Sequence, residues 1–419
     1  MKSYFLLGAI VGASLSPLCA SAQDVLIRGA TVHTASAQGT LKNTDVLMHG
    51  GSIAAMGTAL QAPPGAAVVD AQGRDLTPGL FGGMANIGLE EVSLESQTVD
   101  TTFSTKAPAW EQQWRPELDV TRAYNPRSSL VPVARIEGIT WTVLAPDSDD
   151  AIIGGQGAAV TLDGRYDAAL PGSRSLFVTM GSEGAKRAGG TRTAEFMLLE
   201  QAIREARTKG STDPGALLHA AGREALTGYL SGGRVVFRVD RAADILEVVS
   251  FAQRNGIKPV IAGGGEAWMV ASDLAKAGVP VILDPLADLP SDFDHLGATL
   301  ENAARLQKAG VRIAFSSGDS HNARLVRQLA GNAVAHGLPW DAALAAITAN
   351  PAEIMGLGAT RGRIATGQIA DLVLWSGDPL EVSTLADQVW IAGQPVDMRS
   401  RQTELRDRYL EKIKAHQAR

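Results

Sequence analysis

The stretch "RVVFRVDRAADILEVVSFAQRNGIKPVIAGGG" at residues 234–265 decides the fold class of this 419-residue chain. An apolar run at 234–239 is followed by a helical pattern at 240–256, and a second apolar run begins at residue 258. The helical pattern ends in Gly256, a residue type that commonly ends helices. Because strands that alternate with helices form parallel sheets, the stretch predicts an α/β fold with a parallel sheet.

The same alternation continues toward the C-terminus. A helical pattern at 266–278 precedes apolar runs at 279–283 and 311–317. A barrel of eight strand–helix units needs about 250 residues, which this chain can supply. We therefore expect a (β/α)8 TIM-like barrel. Residues 90–175 fit this rhythm poorly. Two stretches within them, 101–119 and 146–157, are interpreted as long excursions over the mouth of the barrel, where insertions commonly contact ligands.

Two β-rich segments lie at opposite ends of the chain. Residues 24–34 and 45–57 alternate apolar and polar side chains, and residues 362–379 and 388–398 repeat this texture. The pattern is typical of short strands and hairpins, and it predicts a small β-sandwich domain built from both termini. The predicted domains are a signal peptide at 1–22, the composite β-sandwich at 23–79 and 360–400, the barrel at 80–359, and a charged, solvated helix at 401–419.

The first residues of the chain have the composition of a secretion signal. Lys2 is followed by an apolar run at 4–15 and by small residues that end at Ala22. We expect cleavage after Ala22 and a periplasmic or secreted protein, since the apolar run is too short for a membrane span. A lipid anchor on Cys19 is the alternative, although Leu18 is unfavourable before a lipidated cysteine. Cys19 is the only cysteine, so cleavage after Ala22 would leave no disulfide and no thiolate metal site.

The overall composition argues against nucleic acid as a partner. The net charge is −6, charged residues make up 20% of the chain, and aromatic residues make up 5%. Binding to nucleic acid or to an anionic membrane surface generally needs a basic surface, and base stacking needs aromatic side chains. We therefore expect no nucleic acid and no stable membrane span.

The segment "AALAAITANPAEIMGLGATRGRIATGQIADLVLWSGDPL" at 342–380 carries three specific motifs. They are Thr-x-Asn-Pro at 348–351, a glycine-containing turn at 362–373, and Gly-Asp-Pro at 377–379. With these motifs the chain resembles the amidohydrolase superfamily, in particular its secreted, imidazolonepropionase-like members. The resemblance implies a barrel with a β-sandwich, hydrolysis of non-peptide C–N bonds, and a zinc or other divalent ion. It covers nearly the whole mature chain.

Active members of this superfamily carry His-x-His on the first barrel strand. Residues i and i+2 of a strand face the same side, so both imidazoles reach a metal at the barrel mouth. Later strands supply two more histidines, an aspartate and, in some members, a lysine. The corresponding residues of this chain are Met84 and Asn86 for His-x-His, Thr161 for the lysine, Arg238 and Gly263 for the later histidines, and Asp319 for the aspartate.

These residues make a poor metal site. The thioether of Met84 and the amide of Asn86 suit zinc badly, and Gly263 has no side chain. A divalent ion about 4 Å from the Arg238 guanidinium would meet a repulsion of about 8 kcal/mol at an effective dielectric constant of about 20. We therefore predict no metal cofactor. We also expect Arg238 to pair with Asp319, because a buried carboxylate without a partner is costly.

Other polar residues lie near the expected barrel mouth. His321 is interpreted either as a general base or as an exposed loop histidine. Glu266 follows three glycines, and stabilisation of a helix N-terminus explains it without catalysis. The serines near Asp319 lack the surroundings of a nucleophile elbow. The remaining histidines show no metal-ligand spacing and are interpreted as structural; they are His33, His49, His219, His295 and His336.

Two functional hypotheses follow from these residues. The first is a pseudoenzyme that keeps a small-molecule site and works as a homo-oligomer or as a heteromer with an active paralogue. The second is a metal-independent hydrolase of C–N bonds, in which Asp319 is the general base and Arg238 stabilises an oxyanion. The other residues expected around the site are Met84, Asn86, Thr161, Gly263 and His321.

Overall fold

The computed structural model describes residues 23–104, 114–208 and 215–417. The expected signal peptide at 1–22, with Cys19, lies outside the described residues. The strands are, in chain order, β1 (Val25–His33), β2 (Thr40–His49), β3 (Ser52–Gly57), β4 (Ala67–Asp70), β5 (Asp75–Pro78), β6 (Leu80–Phe81), β7 (Thr102–Phe103), β8 (Ile139–Val143), β9 (Asp147–Ser148), β10 (Ile153–Gly157), β11 (Ala159–Thr161), β12 (Ser175–Thr179), β13 (Arg234–Val239), β14 (Lys258–Gly263), β15 (Val281–Leu283), β16 (Ile313–Phe315), β17 (Leu372–Trp375), β18 (Ala386–Ile391) and β19 (Gln394–Pro395).

The helices lie mainly between the strands of the middle of the chain. They are α1 (Leu130–Arg135), α2 (Gly181–Arg187), α3 (Arg192–Arg207), α4 (Ala220–Tyr229), α5 (Ala242–Asn255), α6 (Ala271–Ala277), α7 (Asn302–Lys308), α8 (Val326–Ala335), α9 (Trp340–Ala346), α10 (Ala349–Ile354) and α11 (Arg401–Gln417). Among the described residues, none of these helices combines the length and the apolar character that a membrane crossing requires. Helix α11 buries no side chain, as the prediction of a solvated C-terminal helix requires.

Both ends of the chain contribute to one β-sheet. Its strand order is β19-β18-β17-β5-β1-β2-β3, and β4 pairs with β1 outside this path. The two ends meet where β17 runs antiparallel to β5, with Val373 opposite Thr77. The Trp375 indole N–H donates to the Thr77 hydroxyl over 2.9 Å across this seam. Alternating apolar side chains of these strands share one buried cluster, which explains why the two β-rich segments assemble together.

The middle of the chain forms a parallel sheet, as the opening stretch predicts. Strands β12, β13, β14, β15 and β16 lie side by side in chain order and run parallel, and β10 joins the β12 edge antiparallel. The register between β13 and β14 places Phe237 opposite Ile261, both buried. Between them runs α5, which ends where Gly256 adopts a left-handed φ of 70°. Glycine adopts this conformation without steric cost, so it ends the helix and lets the chain return to the sheet.

A second, smaller sheet has the order β11-β8-β6, with β6 parallel to β8. Its end meets the end of the parallel sheet, because the Met84 backbone N–H donates to the Ser316 hydroxyl over 2.9 Å. One buried apolar cluster spans both sheets. Its strand members are Phe81, Trp141, Val143, Ala159, Phe177, Val236, Val260, Ala262, Ile282 and Ala314.

The interpretation of residues 101–119 and 146–157 as excursions is wrong in part, because strands β7, β9 and β10 lie within these two stretches. Helix α1 and strands β8 and β11 lie in the neighbouring parts of residues 90–175. Strand β8 has the continuous buried sequence "ITWTV" and pairs with both β6 and β11. Strand β10, "IGGQG", escapes recognition because it has only one apolar side chain to show a period.

Candidate functional site

A cavity of about 280 Å³ lies where the carboxyl ends of β13, β14, β15 and β16 meet the segment after β6. Loops at the carboxyl ends of parallel strands are the usual place for active sites in α/β barrels and open sheets. The residues that line the cavity are Met84, Arg238, Asp240, Ala262, Gly263, Ile282, Asp284, Ser316, Ser317 and Gly318. We therefore take this cavity as the candidate functional site.

The cavity brings together three of the residues singled out from the sequence. Met84, Arg238 and Gly263 come from three separate strand ends and share its wall. The other expected site residues are not among the lining residues; they are Asn86, Thr161, Asp319 and His321.

Arg238 is fixed in the wall by the segment that follows β8. Its Nη1 donates to the Pro146 carbonyl over 2.9 Å, and its Nη2 donates to the Ala145 carbonyl over 3.3 Å. The guanidinium also lies 5.5 Å from the ring centre of Phe177 and 3.7 Å from an Asp147 oxygen. Burial lowers the pKa of Arg238 and the charge of Asp147 opposes this, yet a guanidinium stays charged in proteins. The site therefore contains a permanent cation.

Asp147 holds two arginines at once. Its carboxylate accepts a 2.7 Å hydrogen bond from Arg187 and forms the ion pair with Arg238. Burial acts to raise the pKa of Asp147, but the hydrogen bond from Arg187 and the two positive charges hold that pKa below its usual value. The expected pairing of Arg238 with Asp319 is wrong, because Asp147 is the carboxylate that the guanidinium reaches.

Asp319 stabilises its own loop. Its carboxylate accepts hydrogen bonds from the backbone N–H of His321 at 2.8 Å and from the Asn322 side-chain amide at 2.8 Å. Asp319 is exposed, and Gly318 rather than Asp319 stands in the cavity wall. The His321 side chain is 44% exposed, and its Nε2 lies 4.0 Å from a Glu90 oxygen. These two residues have the contacts of an exposed turn, a common role for aspartate.

Asn86 and Thr161 each form a hydrogen bond that involves the protein backbone. The Asn86 side-chain oxygen accepts the Ala145 N–H over 3.1 Å, which supports the same segment that holds Arg238. Thr161 is buried at the end of β11, where its carbonyl accepts the Tyr124 hydroxyl over 3.3 Å. Neither residue is among those that line the cavity.

The backbone at Gly263 explains why no imidazole can stand there. Gly263 has a φ of 91°, and a Cβ built on it would lie 2.4 Å from Oδ1 of Asp240. That oxygen accepts the Gly265 N–H over 3.1 Å and lies 3.3 Å from Nε2 of His295. A histidine at position 263 would have to displace Asp240 and break both contacts.

The lining residues do not fit the divalent ion that the amidohydrolase resemblance implies. Within the described residues, no group of three or more His, Cys, Asp or Glu side chains could hold a metal. A thioether, a glycine and a guanidinium stand at three of the positions where the resemblance implies histidines, and none of these groups is a good zinc ligand. The Arg238 charge adds a repulsion that two nearby carboxylates must first offset.

Three polar residues of the site are not among those singled out from the sequence. Asp240 and Asp284 line the cavity, each directly after an apolar strand, and His295 contacts Asp240. Hydrogen bonds that His295 donates to the carboxylates of Asp240 and Asp292 raise the pKa of His295 to about 9. Its ion pairs with Asp240 and Asp292 hold His295 beside the cavity. The aspartate at the end of an apolar run is the signal that could have identified both carboxylates.

Glu266 stabilises a helix N-terminus, but not the one that follows it. One carboxylate oxygen accepts the N–H of Ala242, the first residue of α5, over 3.0 Å. The other accepts the Gly297 N–H over 3.0 Å. Glu266 is 8% exposed and joins two loops beside the cavity. Its role is structural, as expected, although it supports the preceding helix.

The sequence is similar to curated amidohydrolases over limited stretches. It is 44% identical to Amidohydrolase tasK of Hapsidospora irregularis over 72 residues, which cover 17% of this chain and 7% of that protein. It is 32% identical to the imidazolonepropionase of Chromobacterium violaceum over 128 residues, which cover 29% of each chain. The chain thus spans less than a third of either curated relative.

The fold is similar to that of solved amidohydrolases over almost the whole chain. An amidohydrolase from Thermotoga maritima MSB8 has a TM-score of 0.78 and 25% identity, covering 90% of this chain and 100% of that one. A prolidase solved with N-methylphosphonate-L-proline has a TM-score of 0.55 at 15% identity, with 90% of this chain covered and 100% of the other. The model of the Amidohydrolase family matches residues 174–398, more than half of the sequence. The chain belongs to the amidohydrolase family.

Proposed function

We propose that this protein is a non-catalytic member of the amidohydrolase family that uses the cavity at the strand ends to bind a small molecule. The observation that carries this proposal is the position of Arg238. Its guanidinium is held by the carbonyls of Ala145 and Pro146 and by Asp147, at a position where active relatives carry a metal-binding histidine. The positive charge of Arg238 therefore stands where the family resemblance implies a histidine that binds a metal ion.

The proposal includes the closed architecture expected from the sequence. We propose that the parallel sheet that contains β12 to β16 and the smaller sheet β11-β8-β6 together form a (β/α)8 TIM-like barrel. We also propose that the sheet built from both termini belongs to a β-sandwich. The hydrogen bond between Met84 and Ser316, the apolar cluster common to both sheets, and the similarity to the Thermotoga maritima structure support the barrel.

Export and assembly belong to the same proposal. The signal-like segment at 1–22 supports a periplasmic or secreted protein. A binding subunit without its own chemistry is most useful beside an enzyme, so we propose a homo-oligomer or a heteromer with an active paralogue. Purification of the chain together with the product of a neighbouring gene that retains the histidines would test the heteromer.

The alternative of a metal-independent hydrolase is not retained. It requires Asp319 as general base and Arg238 as oxyanion stabiliser in one site. The Asp319 carboxylate accepts hydrogen bonds within its own exposed loop and is not a lining residue. Both terminal nitrogens of Arg238 already donate to carbonyls.

A combined activity and metal measurement tests the proposed function. Protein purified without chelator is analysed for divalent metals and screened against cyclic amides and acyl dipeptides, with and without added Zn²⁺. We expect no stoichiometric metal and no turnover above that of the Asp319→Ala variant. Turnover that Asp319→Ala abolishes, or one bound ion per chain, would refute the proposal.

A further inference from the structure

We infer that the cavity at the strand ends binds a small organic ammonium ion, whose charge pairs with the carboxylate of Asp284. This inference rests on the proposed binding function and names the chemical class of its ligand. It follows from the pairing of the charged residues in the cavity wall, which leaves one negative charge unmatched.

Two of the three charged lining residues have partners. Arg238 forms its ion pair with Asp147, which is not a lining residue, and donates to two carbonyls. Asp240 forms its ion pair with His295 at 3.3 Å. The raised pKa of His295, about 9, means that this histidine is protonated at neutral pH. Arg238 and Asp240 therefore each have an oppositely charged partner outside the cavity wall, and these partners are shared, Asp147 with Arg187 and His295 with Asp292.

Asp284 is the charged lining residue without such a partner. Within the described residues, no Lys, Arg or His nitrogen lies at ion-pair distance from it. Its Oδ1 accepts the Leu286 N–H over 2.9 Å, and Oδ2 has no hydrogen bond among these residues. Burial raises the pKa of Asp284, which shows that the loss of water outweighs this one hydrogen bond. A cationic ligand would restore the missing interaction.

The same wall disfavours an anionic ligand. The Arg238 guanidinium already donates to two carbonyls and has Asp147 at 3.7 Å, so an anion bound to it would lie close to a second negative charge. An anion would also face the negative charge of Asp284 directly.

The remaining wall fits a short apolar chain. Met84, Ala262 and Ile282 contribute apolar surface, and the volume of about 280 Å³ accommodates only a small molecule. An ammonium group with a short alkyl chain therefore matches the charge, the size and the polarity of the cavity. The amine of such a ligand would donate hydrogen bonds to Asp284 while its chain contacts the thioether of Met84.

Titration calorimetry with three probes of equal length tests the inference. Butylammonium, butanol and butyrate are titrated into the full chain at pH 7.5 and low ionic strength, where a charge pair is screened least. We expect binding of butylammonium, with butanol and butyrate at least ten-fold weaker. The Asp284→Asn variant should lose at least ten-fold in butylammonium affinity while it retains the weak butanol signal.

Asp288→Asn is the matched control variant. Asp288 is exposed, lies four positions further along the same loop and is not a lining residue, so its replacement changes the net charge equally without touching the cavity. Its butylammonium affinity should equal that of the unmodified chain. Thermal unfolding followed by circular dichroism establishes that both variants are folded.

Three results would overturn the inference. They are no detectable butylammonium binding to the folded chain, equal binding of butyrate, and equal affinity of the Asp284→Asn and Asp288→Asn variants. Each of these leaves the metal content and the hydrolysis screen unchanged, so failure of the ammonium site is distinct from failure of the proposed non-catalytic function.

Discussion

The Met84 backbone N–H donates to the Ser316 hydroxyl over 2.9 Å, although 232 residues separate the two positions. The same hydroxyl accepts the Gly318 N–H over 3.1 Å, and Ser316 is 7% exposed. Gly83 must be a glycine for this approach, because a Cβ there would lie 2.7 Å from the hydroxyl oxygen. Ser316 thus connects the segment after β6 to the end of β16.

The Ser316→Ala variant should lose stability. It removes the acceptor of two N–H groups in a largely buried place, and leaving such a group unsatisfied costs about 1–3 kcal/mol. Urea unfolding measures the change. Ser317→Ala is the control, since the Ser317 hydroxyl accepts only a 3.4 Å hydrogen bond from the Asp319 N–H and its loss should cost less than about 0.5 kcal/mol. Equal losses in both variants would contradict the connecting role of Ser316.

Substitution of Gly263 should reveal its close contact with Asp240. In Gly263→Ala the left-handed backbone costs about 1–2 kcal/mol, and the overlap with Asp240 adds about 1–3 kcal/mol. Gly189→Ala is the matched control, because Gly189 has a φ of 90° and a Cβ added to it would meet no neighbouring atom within 4 Å.

The excess cost of Gly263→Ala over Gly189→Ala should shrink when Asp240 is also replaced by alanine. Such a double-mutant cycle isolates the interaction between the two positions. Chemical unfolding of the four chains gives the values. If the excess cost of Gly263→Ala were unchanged in the Asp240→Ala background, the strain would not come from contact with Asp240.

The ion pairs of His295 should make stability depend on pH. The pKa of His295 is raised from 6.5 to about 9, mainly by the hydrogen bond with Asp240. A raised histidine pKa stabilises the folded state below pH 6.5, and this contribution is lost as the pH rises through 9. The loss amounts to at most about 3 kcal/mol. The His295→Gln variant should show no such decline between these pH values, and NMR titration of the imidazole checks the pKa directly.

Glu195 should make the stability of the folded protein decline with rising pH in a lower pH range. In this case the cause is burial of an acid, which favours its neutral, protonated form. It is 1% exposed, and burial raises its pKa from 4.5 to about 7. The folded state therefore holds the proton more tightly than the unfolded chain does, so stability falls as the pH rises from 4.5 through 7.

The Glu195→Gln variant should be more stable than the unmodified chain above pH 7, by up to about 3 kcal/mol, and equal to it at pH 4.5. The neutral amide keeps an acceptor for the Gly181 N–H without a buried charge. Thermal unfolding across this pH range measures the difference. Lower stability of the variant at pH 8 would show that Glu195 is ionised and paired in the folded protein.

Local patterns predict much of this fold. The run at 234–239 and the helix ended by Gly256 appear in the structure as β13 and α5, because apolar periodicity and a left-handed glycine act within one segment. Strand β10, with its glycines, is not recognisable in this way, since its partner β12 rather than its own sequence makes it a strand.

The site is less accessible to sequence reasoning. Met84, Arg238 and Gly263 line one cavity, and each follows or ends a strand whose motif is recognisable. The pairing of Arg238 with Asp147 is not visible, because the excursion that carries Asp147 has no family motif to align. Asp319 is only one residue from Gly318, and a single position on a turn decides which of the two reaches the cavity.

The seam between β5 and β17 has a consequence for biosynthesis. The Thr77 and Trp375 side chains that join there are 298 residues apart. Strands β1 to β5 can pair with one another early, but β5 gains its neighbour β17 only when nearly the whole chain has been made, and such distant pairing forms slowly. For the export that we propose, this delay is useful, because the sheet cannot be completed before the C-terminal strands have been made.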